Sequence, residues 1–191
     1  AYTQLHLRSL AFEQATAVVR AIAGGELPAE LEERICEKAE GNPFFLEEIT
    51  RAILEDGSLV KSGGRLRLTR PIQDILIPET VQEVIGARID RLRPAAKRTA
   101  QVAAVLGRQF RRDQLEQLLE GEGIDVAAEL EHLEHRGIIH RKTVLSEDEF
   151  RFGESVTQEI AYDSLLLRER RALHGRIARL LDEAPGERTA E

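Results

Sequence analysis

Apolar residues recur at helical spacing from residue 10 to residue 57 and predict three helices. The first covers Leu10–Ala23 and ends at a Gly-Gly pair, since glycine readily adopts the left-handed conformation that closes a helix. The second runs from Leu27 to Gly41. The third runs from Asn42 to Gly57 and begins with asparagine, a favoured cap, and then proline, a favoured first residue. Two short alternating runs in residues 58–69 surround a second Gly-Gly pair and predict a β-hairpin.

The second half of the chain combines helical and strand patterns in a different order. Apolar positions predict helices over residues 80–92, 95–106, 113–119, 126–135, 155–166 and 168–181. Thr80, with Glu83 three residues later, predicts a capping box at the first of these helices. Two predicted strands, Ile138–Arg141 and Phe150–Phe152, flank a polar turn at residues 146–149. Three helices followed by a hairpin, from about Pro94 onward, follow the order of a winged helix.

These elements predict a mainly α fold with four consecutive parts. Residues 1–70 are expected to form a helical subdomain with a β-hairpin, and residues 71–93 a linker and a connecting helix. Residues 94–166 are expected to form a winged-helix domain, and residues 167–191 a C-terminal helix and tail. Because prolines border the stretch 71–78, we expect it to be the domain boundary and a candidate hinge.

The composition is that of a folded protein. Of 191 residues, 42% are hydrophobic and 32% are charged. Cys36 is the only cysteine, so no internal disulfide is possible and a cytoplasmic location is expected. No apolar run approaches the ~18–20 residues of a membrane span, so no membrane contact is expected. Because the chain lacks methionine and begins at Ala1, we expect it to be a fragment of a longer protein.

The formal net charge of −7 argues against binding to nucleic acid. Residues 109–191 carry 12 basic and 19 acidic side chains. The third helix of the predicted winged helix would enter the major groove of DNA, where phosphates repel carboxylates, and its charged residues are Glu129, Glu131, Glu134 and Arg136. The wing offers Arg141, Lys142 and Arg151 but carries Glu147, Asp148 and Glu149 at its tip. We therefore expect a protein-contact module, with a DNA-binding transcription regulator as the alternative.

Sequence signatures of catalysis are missing. There is no G-x-x-x-x-G-K-[ST] segment and therefore no phosphate-binding loop of that type. His132 and His135 lie three residues apart on one predicted helix, a spacing that can share a metal, but the sequence designates no further ligands. The alternative for this pair is a solvated helix face. We expect the chain by itself to be neither an enzyme nor the holder of a metal or cofactor.

The run Lys38–Ile49 resembles the lid of signal-transduction P-loop ATPases of the STAND class. It is most similar to the ATPase modules fused to class III adenylate cyclases and to large LuxR-type regulators. Further similar runs follow in order at Ile77–Ile85, Ala87–Leu92, Ala100–Gly107 and Thr157–Leu165. In that family a P-loop domain precedes the lid and the winged helix, and helical repeats usually follow. The resemblance therefore implies that this chain is the lid and winged helix, with the P-loop core upstream.

The Gly-x-Pro motif of that family falls on Gly41, Asn42 and Pro43. The resemblance implies that the proline packs against the adenine ring of ATP or ADP, bound with Mg²⁺ in the parent protein. A rigid pyrrolidine at a helix start offers an apolar face, and we expect free backbone N–H groups beside it. The alternative interpretation of the motif is a plain helix boundary.

A second nucleotide contact of the family is a histidine in a Phe-x-His-x-x-x-x-Glu segment. The matching segment here is Phe152–Glu159, and Glu154 stands in place of the histidine. A carboxylate repels a β-phosphate, so the chain departs here from the ADP-bound switch of the family. The alternative is that Glu154 caps the helix that begins there, where negative charge is favourable.

The resemblance implies a regulatory function. Lid and winged helix would pack over nucleotide in the P-loop core, so that nucleotide binding or hydrolysis shifts their orientation and signals to an attached effector domain. The expected partners are therefore the P-loop core of the parent chain and that effector.

Overall fold

The computed structural model describes residues 8–62, 65–142 and 149–183. Across these residues the chain is mainly helical with short antiparallel strands, which confirms the predicted fold class. Its internal contacts divide it into two compact units, Ala1–Ile85 and Gly86–Glu191. Each unit has its own core, so each is described separately.

The first unit is a small helical bundle with one hairpin. Its elements are α1 (Phe12–Ala23), α2 (Ala29–Ala39), α3 (Pro43–Glu55), β1 (Leu59–Ser62), β2 (Arg65–Leu68), a 3₁₀ turn (Ile72–Asp74) and the beginning of α4 (Val81–Asp90). The two strands pair antiparallel, with Leu59 opposite Leu68. Residues on all three complete helices form the core, including Val19, Leu31, Ile35, Leu46, Ile49 and Ile53. Helices α1 to α3 and the hairpin strands follow the predicted pattern, while the Gly63-Gly64 turn lies outside the described residues.

The stretch 71–78 between the hairpin and α4 packs onto the first unit. Ile72 and Ile75 are 7% and 2% exposed and belong to the same core cluster as α1 to α3. Ile77 is partly buried against that cluster, whereas Leu76, which lies between Ile75 and Ile77, is 85% exposed. The apolar residues of this stretch therefore serve the core of the unit that precedes it.

The second unit contains three helices around a three-stranded sheet, followed by two more helices. After the end of α4 come α5 (Pro94–Leu106), β3 (Gln109–Arg111), α6 (Arg112–Leu119), α7 (Val126–His135), β4 (Ile139–Arg141), β5 (Glu149–Phe152), α8 (Ser155–Asp163) and α9 (Leu167–Glu183). The sheet is antiparallel in the order β3-β5-β4. Phe110 lies opposite Phe150, and these rings stack with centroids 5.9 Å apart. The helices α5, α6 and α7 precede the strands β4 and β5, in the order in which the sequence predicted these elements.

Two details of the second unit differ from the sequence prediction. Strand β3 was not predicted, because Phe110 is its single apolar residue and periodicity needs a longer run. Helix α8 ends at Asp163 and not at Leu166, since the Arg170 guanidinium donates to the backbone carbonyls of Asp163 and Leu165. Of the predicted turn at 146–149, residues 146–148 lie outside the described residues and Glu149 opens β5.

Candidate functional site

The candidate nucleotide motif forms a tight turn between α2 and α3. Glu40 and Gly41 are both left-handed, with φ of 49° and 73°, which reverses the chain direction after α2. The Leu10 backbone N–H donates to the Gly41 carbonyl at 2.8 Å. A Cβ on Gly41 would collide with the Leu10 carbonyl oxygen and lie 2.9 Å from the Leu10 nitrogen. Only glycine fits this turn without movement, because both the conformation and the space exclude a side chain.

Asn42 and Pro43 then begin α3 in the predicted manner. Asn42 is the cap, and its Oδ1 accepts from the backbone N–H groups of Phe44 at 3.1 Å and Phe45 at 3.2 Å. The Leu46 N–H donates to the Asn42 carbonyl at 3.0 Å, and proline has no N–H. The expectation of free N–H groups beside the motif is therefore wrong, because the asparagine cap already occupies them.

Pro43 offers a fixed apolar surface at the start of α3. The residue is exposed, as is Asn42, while Gly41 behind them is buried. Because the cap and the Leu10 contact hold the backbone on both sides, the pyrrolidine ring is preorganised in one orientation. The turn can thus pack against a flat apolar ring such as adenine. It offers no backbone donor for phosphate in the first turn of the helix.

A polar cavity of about 380 Å³ lies beside this turn, between α2 and the segment that precedes α4. It is lined by Arg34, Glu37, Lys38, Glu40, Ile77 and Glu79. Lys38 forms an ion pair with Glu79, and the Arg34 guanidinium donates to the Ile72 carbonyl at 2.7 Å. No local sequence pattern indicates this site, because Lys38 and Glu79 on its two walls are 41 residues apart along the chain.

Glu154 lies in the second unit, at the N-cap position of α8. The residue is exposed and extended, with φ of −125°, and its side chain makes no capping hydrogen bond. Its position agrees with the interpretation that it begins the helix. Any stabilisation of α8 by this carboxylate is therefore electrostatic, through the positive end of the helix dipole.

The carboxylates of α7 are less available to solvent than the sequence suggested. Glu129 is 6% exposed and its Oε2 lies 2.9 Å from Nε of Arg93. Glu134 accepts a hydrogen bond from the Arg141 backbone N–H at 3.1 Å. Of the three, Glu131 is exposed and has no such contact within the described residues. The expectation of three carboxylates facing outward is therefore wrong for Glu129. The charge of Glu134 is partly offset by the hydrogen bond from the Arg141 N–H.

The basic residues of the wing are also engaged in part. Lys142 Nζ lies 3.1 Å from Glu149 Oε2, and the Arg141 guanidinium lies 5.2 Å from the centre of the Phe150 ring. Arg151 is exposed on β5, opposite His140 on β4. The predicted acidic residues Glu147 and Asp148 at the wing tip lie outside the described residues. Of the three basic wing residues, Lys142 and Arg141 are therefore engaged in local contacts, whereas Arg151 is exposed.

The two histidines of α7 were the sequence's candidate pair for a metal. In the part of the chain that the structure describes, no group of three or more His, Cys, Asp or Glu is placed to hold a metal ion. Partial burial lowers the pKa of His132, and the positive charges of Arg93 and Arg136 lower it further. His132 is therefore a neutral, partly packed side chain near neutral pH.

Comparison with known proteins does not assign the chain to a family. No family model, no curated protein and no solved structure matches it. None of the described helices combines the length and the apolar character needed to cross a membrane.

Proposed function

We propose that this chain is the lid and winged-helix part of a nucleotide-dependent signalling ATPase. In this role it relays a conformational change from a nucleotide-binding core to an attached effector and provides protein contacts. The order of elements supports the proposal, since a helical unit with a hairpin precedes, along the chain, a unit with three helices and a three-stranded antiparallel sheet. The observation that carries it is the exposed, preorganised Pro43 ring at the start of α3.

The geometry of the turn indicates that the adenine and the phosphates of the nucleotide contact different parts of the parent protein. Pro43 fits the adenine ring, which is flat and largely apolar. The first-turn N–H groups of α3 are occupied by Asn42, so the phosphates and Mg²⁺ need donors and ligands from elsewhere. Since the sequence has no phosphate-binding loop, we assign the phosphate site to the P-loop core.

Isothermal titration with ATP and ADP in the presence of Mg²⁺ tests this division. The proposal predicts no detectable heat at nucleotide concentrations up to about 1 mM, because an adenine contact without a phosphate site supplies little binding free energy. Binding at micromolar affinity would show that the chain carries a phosphate site of its own. The assignment of the phosphate site to the P-loop core would then be wrong.

DNA binding is the alternative that the same preparation can test. Glu129 pairs with Arg93, and Glu134 accepts from the Arg141 N–H, so α7 should repel DNA phosphates less than the sequence predicts. These contacts expose no new basic surface. We expect no change in the fluorescence anisotropy of a labelled duplex at 0.15 M salt. Binding that weakens steeply as salt is raised would support the transcription-regulator alternative, since phosphate contacts release counterions.

A further inference from the structure

The segment between the hairpin and α4 is held to the first unit in two different ways. At its beginning, Ile72 and Ile75 are buried in the core, and the Arg34 guanidinium donates to the Ile72 carbonyl. Apolar burial and a charged hydrogen bond thus anchor residues 71–75 firmly.

From Leu76 onward the packing changes. Leu76 is 85% exposed, and the cavity of about 380 Å³ separates Ile77 and Glu79 from the polar side of α2. Ile77 is only partly buried against the core. The ion pair between Lys38 and Glu79 reaches across this space. The second half of the segment therefore depends on an electrostatic contact more than on close packing.

The same ion pair is connected to the start of α4. The Glu79 backbone N–H donates to Glu83 Oε2 at 2.9 Å, and the Glu83 N–H donates to Thr80 Oγ1 at 3.2 Å. These bonds cap the first turn of the helix. Displacement of Glu79 would therefore disturb the cap as well as the segment, because one residue belongs to both.

We propose that Lys38 and Glu79 form a latch that holds residues 76–80 against α2, and that the segment opens together with the α4 cap when this pair breaks. The side chains of Lys38 and Glu79 are 28% and 72% exposed. The latch is therefore sensitive to salt and to any charged ligand that competes for either partner. The latch stands on the geometry of the first unit, whereas its use as a regulatory step rests on the proposed function.

Amide hydrogen exchange by NMR tests the latch in the full chain without nucleotide. The Lys38→Met variant removes the ammonium and keeps the aliphatic stem. We expect the amides of Glu79, Glu83 and Val84, whose N–H groups donate to Glu83 Oε2, Thr80 Oγ1 and the Thr80 carbonyl, to exchange about two- to five-fold faster, the equilibrium effect of losing a solvent-exposed ion pair. Raising salt from about 0.05 to 0.5 M should accelerate the same amides in the wild type and not in the variant.

A matched control and a second variant make the result specific. Arg51→Met removes an exposed ion pair of 2.7 Å with Glu47 on α3 and should leave the exchange of the Glu79, Glu83 and Val84 amides unchanged. Glu79→Gln should resemble Lys38→Met, and the double variant should add little to either. Unchanged exchange in Lys38→Met would overturn the latch, as would faster exchange only after Ile77→Ala. Since no nucleotide is present, these outcomes are independent of the titration that tests the proposed function.

Discussion

The turn at Gly41 provides a sharp test of how the candidate site is built. Replacing Gly41 by alanine adds one methyl group at a residue with φ of +73°. The new Cβ would collide with the backbone of Leu10, which is less able to move than a side chain. Gly57 is the matched control, because its φ is +74° and a Cβ there would have no atom within 4 Å.

The expected losses differ because only one site is crowded. Both variants place an L-residue in the left-handed region, at a cost of about 1–2 kcal/mol each. Both also gain from the reduced freedom of the unfolded chain, by about 0.4–1 kcal/mol, and this gain cancels in the comparison. Gly41→Ala additionally disrupts the hydrogen bond from the Leu10 N–H to the Gly41 carbonyl, worth about 0.5–1.5 kcal/mol, and displaces the backbone. We expect it to lose at least about 1 kcal/mol more than Gly57→Ala.

Urea unfolding followed by far-UV circular dichroism measures this difference. Both glycines lie in the first unit, so the two variants report on the same transition. A difference of less than about 0.3 kcal/mol between them, which is within additivity error, would refute the account of the turn. It would mean that the Leu10 contact moves away without cost and that Gly41 is required by its conformation alone.

Three further predictions concern caps and ion pairs. Glu40→Gly should stabilise the first unit by about 0.5–1 kcal/mol in the same urea assay, because relief of a left-handed L-residue, about 1–2 kcal/mol, exceeds the roughly 0.4–1 kcal/mol lost to the greater freedom of the unfolded chain; a loss of stability would contradict this. Asn42→Ala should destabilise that unit by about 0.5–2 kcal/mol in urea, since it removes the cap of α3; a neutral result would show that water replaces the cap. The bidentate contact with Arg98 lowers the pKa of Glu122, so this carboxylate contributes stability above its unfolded pKa that is lost as pH falls through the lowered value. We expect wild type to be more stable than Glu122→Gln by a constant amount near neutrality and by a shrinking amount below about pH 4.5. Urea unfolding of both proteins from pH 7 to pH 3 measures this difference. A difference independent of pH would exclude the ion pair as its cause.

The helices could be predicted from the sequence because their apolar residues recur on one face, and where a boundary signal is local the boundary is predictable too. Asn42 and Pro43 at the start of α3 are an example, since the cap and the first residue are local features. Strand β3 could not be predicted in this way. It exists because Gln109 and Arg111 pair with β5, which follows much later in the chain, and such pairing leaves no local pattern.

The position of the candidate site could be predicted from the sequence, but the hydrogen-bonding state of its backbone could not. The sequence identifies Gly41, Asn42 and Pro43 as a helix boundary, whereas the loss of free N–H groups follows from the rotamer of Asn42. The burial of Glu129 depends on Arg93, which comes 36 residues earlier. Charge counts along the sequence therefore overestimate the acidity that α7 presents to solvent.

The central claim, that Pro43 presents a preorganised ring to adenine, is tested most directly by an NMR titration with adenosine, which lacks phosphates. We predict amide shifts confined to Asn42, Phe44 and Phe45, with weak saturation in the range of tens of millimolar. These shifts should be lost in Pro43→Ala and kept in Pro94→Ala, where an exposed proline also occupies the first position of a helix. Shifts that survive Pro43→Ala, or none at residues 42–45, would contradict the claim.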